Sequence, residues 1–379
     1  MILVVDAHNI RAGGGVTHLL HLVDESYYTS RFHATHIFGG HTTHEYLKGR
    51  IRYPVVFHEE SLLNGNVIKR HYWYRYVLPR RLQELKADIL FSPGGLLPTS
   101  LPNNVRTVTM HQNILPFMFA AANKDGLKLL IRRMLQRYLQ LNSYRRADGV
   151  IFLSESARNI ISKLIPDVHN KSVIIPHGIS DVFRRKPVDE KKGSENKIEL
   201  LYVSNIKSYK YQWNVVAAMS ILRKHGYDNN KLTLVGPGDP GPLKKLKSAI
   251  DTYKMKDRVV WLGAVPYEEI VKIYHNASIF VFASACECCP NILFEAMASG
   301  LPIACSNRGP MKEFARDGAK YFDPEDSDSI AAAVRYLIDN HDDRKKLALR
   351  AYELSKKYTW KDCAEQTFDF LWKTAETIK

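Results

Sequence analysis

The segment ACECCPNILFEAMASG, residues 285–300, places two carboxylates eight positions apart, on Glu287 and Glu295. An apolar stretch typical of a strand, SIFVFAS, precedes it, and ILFEAMASG has the composition of a helix that ends at Gly300. The backbone N–H groups at the start of such a helix, together with the helix dipole, form a site for an anion such as a phosphate.

The two glutamates lie on either side of that anion site. Glu295, about one turn into the helix, is placed to accept hydrogen bonds from paired hydroxyls such as a ribose diol. Glu287 precedes the helix and would face whatever lies beyond the phosphates. Together these groups predict a nucleotide sugar as the ligand. The alternative is that Glu295 caps a surface helix and Glu287 is an ordinary loop residue.

The elements that position these residues follow from the hydrophobic pattern. With 379 residues, the chain is long enough for two domains. Short apolar stretches alternate with helical sequence, which predicts parallel sheets covered by helices on both faces. The predicted strands are 2–7, 34–40, 53–58, 88–93, 106–112, 149–154 and 172–178, then 198–205, 231–238, 258–265, 278–284, 301–307 and 319–324.

Domain bounds follow from the break in this alternation. The charged segment RRKPVDEKKGSENK predicts a linker at 184–197. It separates a first Rossmann-like domain (1–183) from a second (198–355), which contains the predicted nucleotide-sugar site. We expect the helical tail, 356–379, to pack back on the first domain. In doubly wound sheets ligands bind outside the carboxyl ends of the strands, so we expect the ligand in a cleft between the two domains.

The Glu-x7-Glu spacing followed by AMASGLPIA resembles the signature of the retaining glycosyltransferases of family 4, which have the GT-B fold. The resemblance extends over nearly the whole chain and is strongest from about 198 to 325, and it implies that the domain 1–183 lies on the acceptor side. It implies that Glu287 contacts the donor sugar and Glu295 the nucleotide ribose. Cys288, Cys289 and Pro290 stand where the family usually has an aromatic residue and glycines. Backbone contacts to the donor are then expected from Asn291 and Ile292.

The loop after the strand at 198–205 resembles the family segment that offers an arginine and, five residues later, a lysine to the donor diphosphate. Lys210 matches the lysine, and a cation stabilises a leaving diphosphate. Asn205, which is uncharged, occupies the arginine position. Lys207 is the nearby cation that would compensate for the missing positive charge. The glycine loop in LVGPGDP adds Gly236 as a further residue at the donor.

Two sites in the first half resemble other family elements. The loop RAGGGVTHLL resembles a Gly-Gly-Val loop, which implies that Gly14 and Gly15 lie over the donor diphosphate, where glycine permits close approach. His111 ends the predicted strand 106–112, where the family has a histidine beside the donor sugar. The expected catalytic residues are therefore His111, Glu287 and Lys210.

We expect the acceptor hydroxyl to attack the donor sugar from the same face that the diphosphate leaves. The departing phosphate oxygen then takes the proton of the acceptor hydroxyl. Double displacement is the alternative, with Glu287 as the nearest nucleophile. No metal or other cofactor is expected. The Asp-x-Asp of Asp326 and Asp328 starts an alanine-rich segment, where acidic residues cap a helix. Cys286, Cys288 and Cys289 lack a second pair at zinc-ligand spacing.

The net charge of +15 is concentrated in the first half, where residues 1–184 carry 23 Lys and Arg against 13 Asp and Glu. Two stretches, 61–83 and 126–147, are basic, and the second has the pattern of an amphipathic helix carrying Arg132, Arg133 and Arg137. One alternative is that each stretch packs its apolar face on a core and exposes its charged face to solvent. The other is that the two stretches attach the protein to an anionic membrane surface. We see no nucleic-acid motif and expect no such partner.

The expected function is transfer to a lipid-linked or oligosaccharide acceptor in bacterial surface polysaccharide assembly, such as lipopolysaccharide, O-antigen or capsule. Five cysteines favour a reducing compartment, and neither a secretory signal nor a membrane span is evident. The expected location is the cytoplasm, at the inner face of the plasma membrane. The alternatives are a sugar-nucleotide epimerase of the same architecture and a non-catalytic nucleotide-binding protein.

Overall fold

The computed structural model describes residues 1–10, 14–24, 31–49, 55–118, 127–187 and 198–377. Most of the predicted linker, 188–197, lies outside the described residues, as do residues 53 and 54 of the third predicted strand and the first residue of the basic stretch 126–147. The described chain forms two compact units. One comprises Met1–Phe117, Lys128–Gly178 and Thr359–Lys379, and the other consists mainly of Ile179–Tyr358.

The first unit is built on a seven-stranded, entirely parallel sheet with the order β3-β2-β1-β4-β5-β6-β7. Its strands are β1 Ile2–Asp6, β2 Ala34–Gly39, β3 Val55–Glu59, β4 Ile89–Ser92, β5 Arg106–His111, β6 Gly149–Phe152 and β7 Ser172–Ile174. Its helices are α1 Gly14–Asp24, α2 His41–Leu47, α3 Val67–Tyr72, α4 Leu78–Glu84, α5 Leu127–Arg146 and α6 Glu155–Ser162. A π-helical segment, Trp73–Val77, joins α3 to α4.

The second unit repeats this plan with six parallel strands in the order β10-β9-β8-β11-β12-β13. The strands are β8 Glu199–Val203, β9 Lys231–Val235, β10 Val259–Trp261, β11 Ile279–Phe282, β12 Ile303–Ser306 and β13 Lys320–Phe322. The helices are α7 Gln212–Lys224, α8 Pro240–Thr252, α9 Tyr267–Asn276, α10 Asn291–Ala298, α11 Met311–Ala315, α12 Ser327–Asp339 and α13 His341–Ser355.

The central strands of both sheets are buried on both faces, which explains their uninterrupted apolar sequences. Every residue of β4 and of β11 is buried, as expected where helices cover both sides of a parallel sheet. The two-domain α/β fold with doubly wound parallel sheets, predicted from the alternation of strands and helices, is confirmed, and all thirteen predicted strands are present.

The last helix, α14 Trp360–Glu376, is part of the first unit. The indole of Trp360 stacks on the imidazole of His21 at 4.3 Å between ring centroids, and Phe368 and Leu371 are buried. A Cβ on Gly178 would lie 2.1 Å from the backbone nitrogen of Trp360, so only glycine permits this approach.

The chain passes between the units at 178/179 and 358/359, whereas the sequence pattern placed these points at 183/184 and 355/356. The first boundary differs because of how residues 179–183 pack. Ile179 and Phe183 are buried within the core of the second unit, together with its strands. A short apolar stretch before a charged segment does not itself indicate which core receives it.

Candidate functional site

The candidate site of the second unit lies where the strand order of its sheet reverses. Strand β8 pairs with β9 on one side and with β11 on the other, so the chain winds in opposite directions from this point. The loops that follow β8 and β11 leave the sheet at the carboxyl ends of these neighbouring strands, where doubly wound sheets bind ligands. Lys210 follows β8, and Glu287 follows β11.

Lys210 and Glu287 form an ion pair between these two loops, through the lysine ammonium and a carboxylate oxygen. Their side chains are only 9% and 15% exposed. The backbone adds a second link, because the N–H of Ala285 donates to the carbonyl of Tyr209 at 2.9 Å. The ammonium group also lies 5.1 Å from the centroid of the Phe282 ring. Both residues were predicted to be catalytic, and the structure brings them together.

Gly236, after β9, lies directly against the loop that follows β8. Its φ is +129°, and a Cβ would stand 2.3 Å from the carbonyl oxygen of Ser204, so no other residue fits. The indole N–H of Trp261 donates to the Gly236 carbonyl at 2.9 Å. The glycine therefore holds two neighbouring loops close together at the carboxyl end of the sheet.

Asn205 and Lys207 occupy the same loop as Lys210. Asn205 is exposed, and its carbonyl accepts a hydrogen bond from the side chain of Gln212 at 3.0 Å. The ammonium of Lys207 lies 3.9 Å from a carboxylate oxygen of Asp239. The two residues thus flank the region that Lys210 occupies, with Lys207 as an accessible cation.

Asn291 and Ile292 are the first two residues of α10. The next two N–H groups, of Leu293 and Phe294, both donate to the carbonyl of Pro290, at 2.9 and 3.3 Å. The first N–H groups of an α-helix have no intrahelical acceptor, so this end of α10 offers donors to an anion. It begins four residues after Glu287.

Glu295 lies on the same helix, and its carboxylate accepts a hydrogen bond from the hydroxyl of Tyr274 at 2.9 Å. Burial raises the pKa of this carboxyl to about 7, although the hydrogen bond from Tyr274 acts in the opposite direction. The Tyr274 hydroxyl also lies 3.2 Å from the carbonyl of Ile292. Tyr274 therefore connects the predicted ribose-binding carboxylate to the start of α10.

In the first unit the predicted residues also meet at the carboxyl end of a sheet. Gly14 and Gly15 begin α1, after β1. A Cβ on Gly15 would come within 3.2 Å of the Gln112 side-chain oxygen, and Gln112 follows His111 directly. That Gly14, Gly15 and His111 contact the donor remains a prediction.

His111 is completely buried in the first unit. Its Nδ1 is 2.7 Å from the Tyr144 hydroxyl, and the rings of Phe117 and Phe152 lie against it. Nε2 has no hydrogen-bond partner among the described residues. Burial lowers the pKa of His111 to about 3. The imidazole is therefore neutral at physiological pH and is suited to hydrogen bonding, whereas proton transfer to a substrate would require a higher pKa.

The Asp-x-Asp pattern is a helix cap, as predicted. The Asp326 side chain accepts a hydrogen bond from the N–H of Asp328 at 2.9 Å, at the start of α12. Among the residues that the structure describes, no three His, Cys, Asp or Glu side chains are grouped to hold a metal ion. In the same part of the chain, no helix has the length and apolar character that a membrane crossing requires.

Two family models match the chain in succession. Residues 12–182 match the model described as Glycosyltransferase Family 4, and residues 184–354 match the model described as Glycosyl transferases group 1. Together they account for both units. The chain belongs to the family 4 glycosyltransferases.

Known proteins with similar sequences include two bacterial glycosyltransferases. The O-antigen chain mannosyltransferase B of Escherichia coli is 31% identical over 109 residues, which are 29% of this chain and 29% of that protein. The alpha-monoglucosyldiacylglycerol synthase of Streptococcus pneumoniae is 26% identical over 238 residues, covering 60% of this chain and 53% of that protein. The matching segments thus span about half of these relatives or less.

A solved structure of HepE from Anabaena, in complex with UDP, superimposes with a TM-score of 0.72. It covers 98% of this chain and 99% of that one at 15% sequence identity. At this identity the likeness concerns the fold, which is GT-B, as the sequence analysis predicted.

Sequence analysis of this family 4 glycosyltransferase missed residues that complete the site. Tyr274 holds Glu295, and no local signal marks it, because the two meet only after folding. Gly309 has a φ of +64°, and a Cβ there would lie 3.9 Å from the backbone nitrogen and oxygen of Glu287. The Gly309–Pro310 step after β12 is the signal that could have identified this loop.

Proposed function

We propose that this protein transfers a sugar from a nucleoside diphosphate sugar to an acceptor. The observation that supports this proposal is the ion pair of Lys210 and Glu287 beside the start of α10, at the point where the strand order reverses. This arrangement supplies one cation, a set of backbone N–H donors and a carboxylate. These are the groups that a diphosphate joined to a sugar requires. HepE, of the same fold, binds UDP.

The carboxylates have separate roles in this proposal. Glu295, held by Tyr274, accepts hydrogen bonds from the ribose hydroxyls. Glu287 accepts hydrogen bonds from hydroxyls of the transferred sugar, and these replace part of its ion pair with Lys210. Lys210 then stabilises the negative charge that develops on the diphosphate as the glycosidic bond breaks. Asn205, Lys207, Gly236, Asn291 and Ile292 bind the rest of the diphosphate.

We further propose that the sugar keeps its anomeric configuration. The acceptor hydroxyl attacks from the face that the diphosphate leaves, its proton passes to the departing phosphate oxygen, and the new glycosidic bond forms on that face. Glu287 is assigned to the hydroxyls of the transferred sugar, which disfavours its use as the nucleophile of a covalent glycosyl intermediate. The cations of the chain itself take the place of a divalent metal at the diphosphate.

The acceptor in this proposal is a lipid-linked or oligosaccharide acceptor of bacterial surface polysaccharide assembly, reached from the cytoplasmic face of the membrane. The names of two relatives, an O-antigen mannosyltransferase and a glucosyldiacylglycerol synthase, point to such acceptors. A lipid-linked acceptor requires the enzyme to work at a membrane surface, and the first unit has exposed apolar residues on two helical segments.

The first exposed stripe lies on α5. Five apolar residues follow one face at helical spacing, and each is between 41% and 65% exposed: Ile131, Met134, Leu135, Tyr138 and Leu139. Of the two alternatives for this segment, the exposed stripe favours attachment to a membrane surface. Arg132 beside the stripe is exposed, whereas Arg133 is only 9% exposed and Arg137 lies over the Phe117 ring. Of the three arginines, Arg132 is the one placed for lipid phosphates.

The second exposed stripe covers α3 and the π-helical segment. Ile68 is 77% exposed, and Tyr72 and Tyr76 are 51% and 53% exposed. Lys69 and Arg75 are exposed next to them. Apolar and aromatic side chains flanked by cations match an anionic lipid surface, where the rings enter the interface and the cations meet headgroups.

The test is a transfer assay with UDP-, GDP- and dTDP-sugars and lipid extracts or oligosaccharide acceptors, followed by NMR of the product. The proposal predicts nucleotide release that depends on the acceptor, an α-linked product from an α-linked donor, and unchanged rates in EDTA. Inversion would contradict the retaining mechanism. A new sugar nucleotide formed without acceptor would instead establish the alternative activity, epimerisation.

A further inference from the structure

A hydrogen-bonded pair, Asp6 and His8, lies at the carboxyl end of the first sheet, at the point where the strand order of that sheet reverses. Asp6 is the last residue of β1, which pairs with β2 on one side and with β4 on the other. Doubly wound sheets bind ligands at such a point. Neither residue belongs to the donor site of the second unit.

The loops around this pair are closely packed. A Cβ on Gly94, which follows β4, would lie 2.9 Å from the Cβ of Asn9, the exposed residue after His8. A Cβ on Gly15 would lie 3.7 Å from the side chain of Ile10. His8 therefore lies among the same loops as Gly15, one of the residues predicted to contact the donor.

The Asp6 carboxylate selects one tautomer of His8. Its two oxygens accept hydrogen bonds from the backbone N–H of His8 at 3.2 Å and from the ring Nδ1 at 2.6 Å. A carboxylate is an acceptor only, so the proton of the neutral ring is on Nδ1. The other ring nitrogen, Nε2, then carries a lone pair and accepts a hydrogen bond from a ligand.

The His8 ring is held in place by Tyr74, and its Nε2 stays available. The two ring centroids are 4.6 Å apart, and His8 is 6% exposed. Nε2 is hydrogen-bonded to none of the described residues and, in contrast to the Tyr74 hydroxyl, is not fully enclosed. A histidine with one nitrogen on a carboxylate and the other open is oriented to act on a ligand.

Tyr74 also connects this pair to the second exposed stripe. It belongs to the π-helical segment Trp73–Val77, and π-helical turns are frequent at functional sites. Tyr72 and Tyr76, two positions away on either side, are the exposed aromatic residues proposed to enter a lipid surface. The same stretch of chain thus contacts His8 and contributes to the proposed membrane surface, which favours a membrane-anchored acceptor as the ligand of His8.

We propose that His8 Nε2 accepts a hydrogen bond from a sugar hydroxyl of the acceptor, and that Asp6 is the positioning residue that holds the imidazole for this contact. A lone pair beside a carboxylate favours a neutral donor and disfavours an anion. This inference rests on the proposed function, because it names the group that binds the acceptor of that reaction. His8 orients the acceptor, and the proton of the attacking hydroxyl still passes to the departing phosphate oxygen.

The test uses octyl glycosides of glucose, galactose and mannose as acceptor probes, with the intact protein and UDP. Saturation-transfer NMR measures probe binding, and transfer from UDP-, GDP- and dTDP-sugars gives kcat and KM for the same probes. His8→Asn keeps an amide that donates to Asp6 but has no atom at the position of Nε2. His8→Gln places its amide near that position. His169→Gln, at an exposed histidine of the first unit, is the control.

We expect His8→Asn to weaken probe binding and to raise the KM for the probe by about tenfold or more. Its UDP affinity and its thermal unfolding midpoint should match those of the wild type, and His8→Gln should recover part of the loss. Asp6→Asn should raise KM by about fivefold alone and add little to His8→Asn, because Asp6 acts through His8. The control should bind the probes normally.

Unchanged probe binding and KM in His8→Asn would overturn the proposal, as would a wild-type protein that binds none of the probes. Equal losses of UDP affinity and probe affinity would assign His8 a structural role instead. An additive effect of Asp6→Asn in the double variant would overturn the role of Asp6. Probe binding that depends on His8, without transfer from any donor, would support the acceptor contact and contradict the proposed function.

Discussion

The ammonium of Lys210 and the carboxylate of Glu287 are ion-paired across the point where the strand order of the second sheet reverses. Each residue follows a different central strand, and both side chains are largely buried. Removing one partner of a buried pair is destabilising, because it leaves the other charge uncompensated. We expect donor binding to open this ion pair, because the diphosphate competes with Glu287 for the Lys210 ammonium.

Replacing Lys210 by Met should lower kcat/KM for sugar transfer by about 100- to 1000-fold, since a cation that faces the leaving diphosphate is lost. Lys207→Met is the matched control, and its effect should stay within about tenfold because Lys207 is only partly buried and lies close to Asp239. Steady-state kinetics at saturating acceptor measures both. Equal losses in the two variants would show that Lys210 has no special role.

Replacing Glu287 by Gln should separate binding from transfer. Lys210 loses its competing carboxylate, so UDP should bind as tightly as in the wild type or more tightly, by up to about tenfold. The transfer rate should fall at least tenfold, because the amide is a poorer acceptor for the sugar hydroxyls. Calorimetry with UDP and single-turnover transfer provide the two readouts. Weaker UDP binding with a normal transfer rate would contradict the assigned role.

Glu295 makes stability depend on pH in a defined direction. Its pKa is raised from 4.5 to about 7 in the folded protein by burial, so its contribution to stability is complete below about pH 4.5 and is lost as pH rises through about 7. Above pH 7 the ionised carboxylate costs roughly 3 kcal/mol. Glu295→Gln keeps an acceptor for Tyr274 and should therefore stabilise the protein at pH 8, with little effect at pH 4.5.

Chemical denaturation of Glu295→Gln and wild type at both pH values measures this difference. Glu353→Gln, at an exposed glutamate of the same unit, is the control and should show no such contrast. The same variant should bind UDP more weakly, since a carboxylate is the stronger acceptor for ribose hydroxyls. A stabilisation that is equal at both pH values would show that ionisation of Glu295 is not the cause.

The exposed stripe on α5 should control attachment to membranes. Met134→Gln/Tyr138→Ser should lower partitioning onto vesicles containing phosphatidylglycerol by about tenfold or more, from the apolar area removed. Arg132→Gln should weaken it by about fivefold. Val182→Gln, at an exposed apolar residue of the second unit that is 55% exposed, is the control. Vesicle sedimentation that does not distinguish these variants would remove the membrane from the proposal.

The amino-acid sequence predicted the strands because parallel strands covered on both faces are short, continuous apolar runs. Lys210 was named from the resemblance to the family and Glu287 from its place before a helix, and both follow strands whose carboxyl ends share one edge of the sheet. The partnership of Tyr274 with Glu295 was beyond reach, because 21 residues separate them and only packing brings them together. The exposure of the stripe on α5 could not be predicted, because helical periodicity shows that residues share a face and not whether that face is covered.

The most direct test of the central claim is a structure of the protein with UDP bound. The account predicts diphosphate oxygens within hydrogen-bond distance of Lys210 Nζ and of the N–H groups at the start of α10, with the ribose hydroxyls on the carboxylate of Glu295. A diphosphate bound elsewhere, with Lys210 and Glu287 still paired, would contradict it.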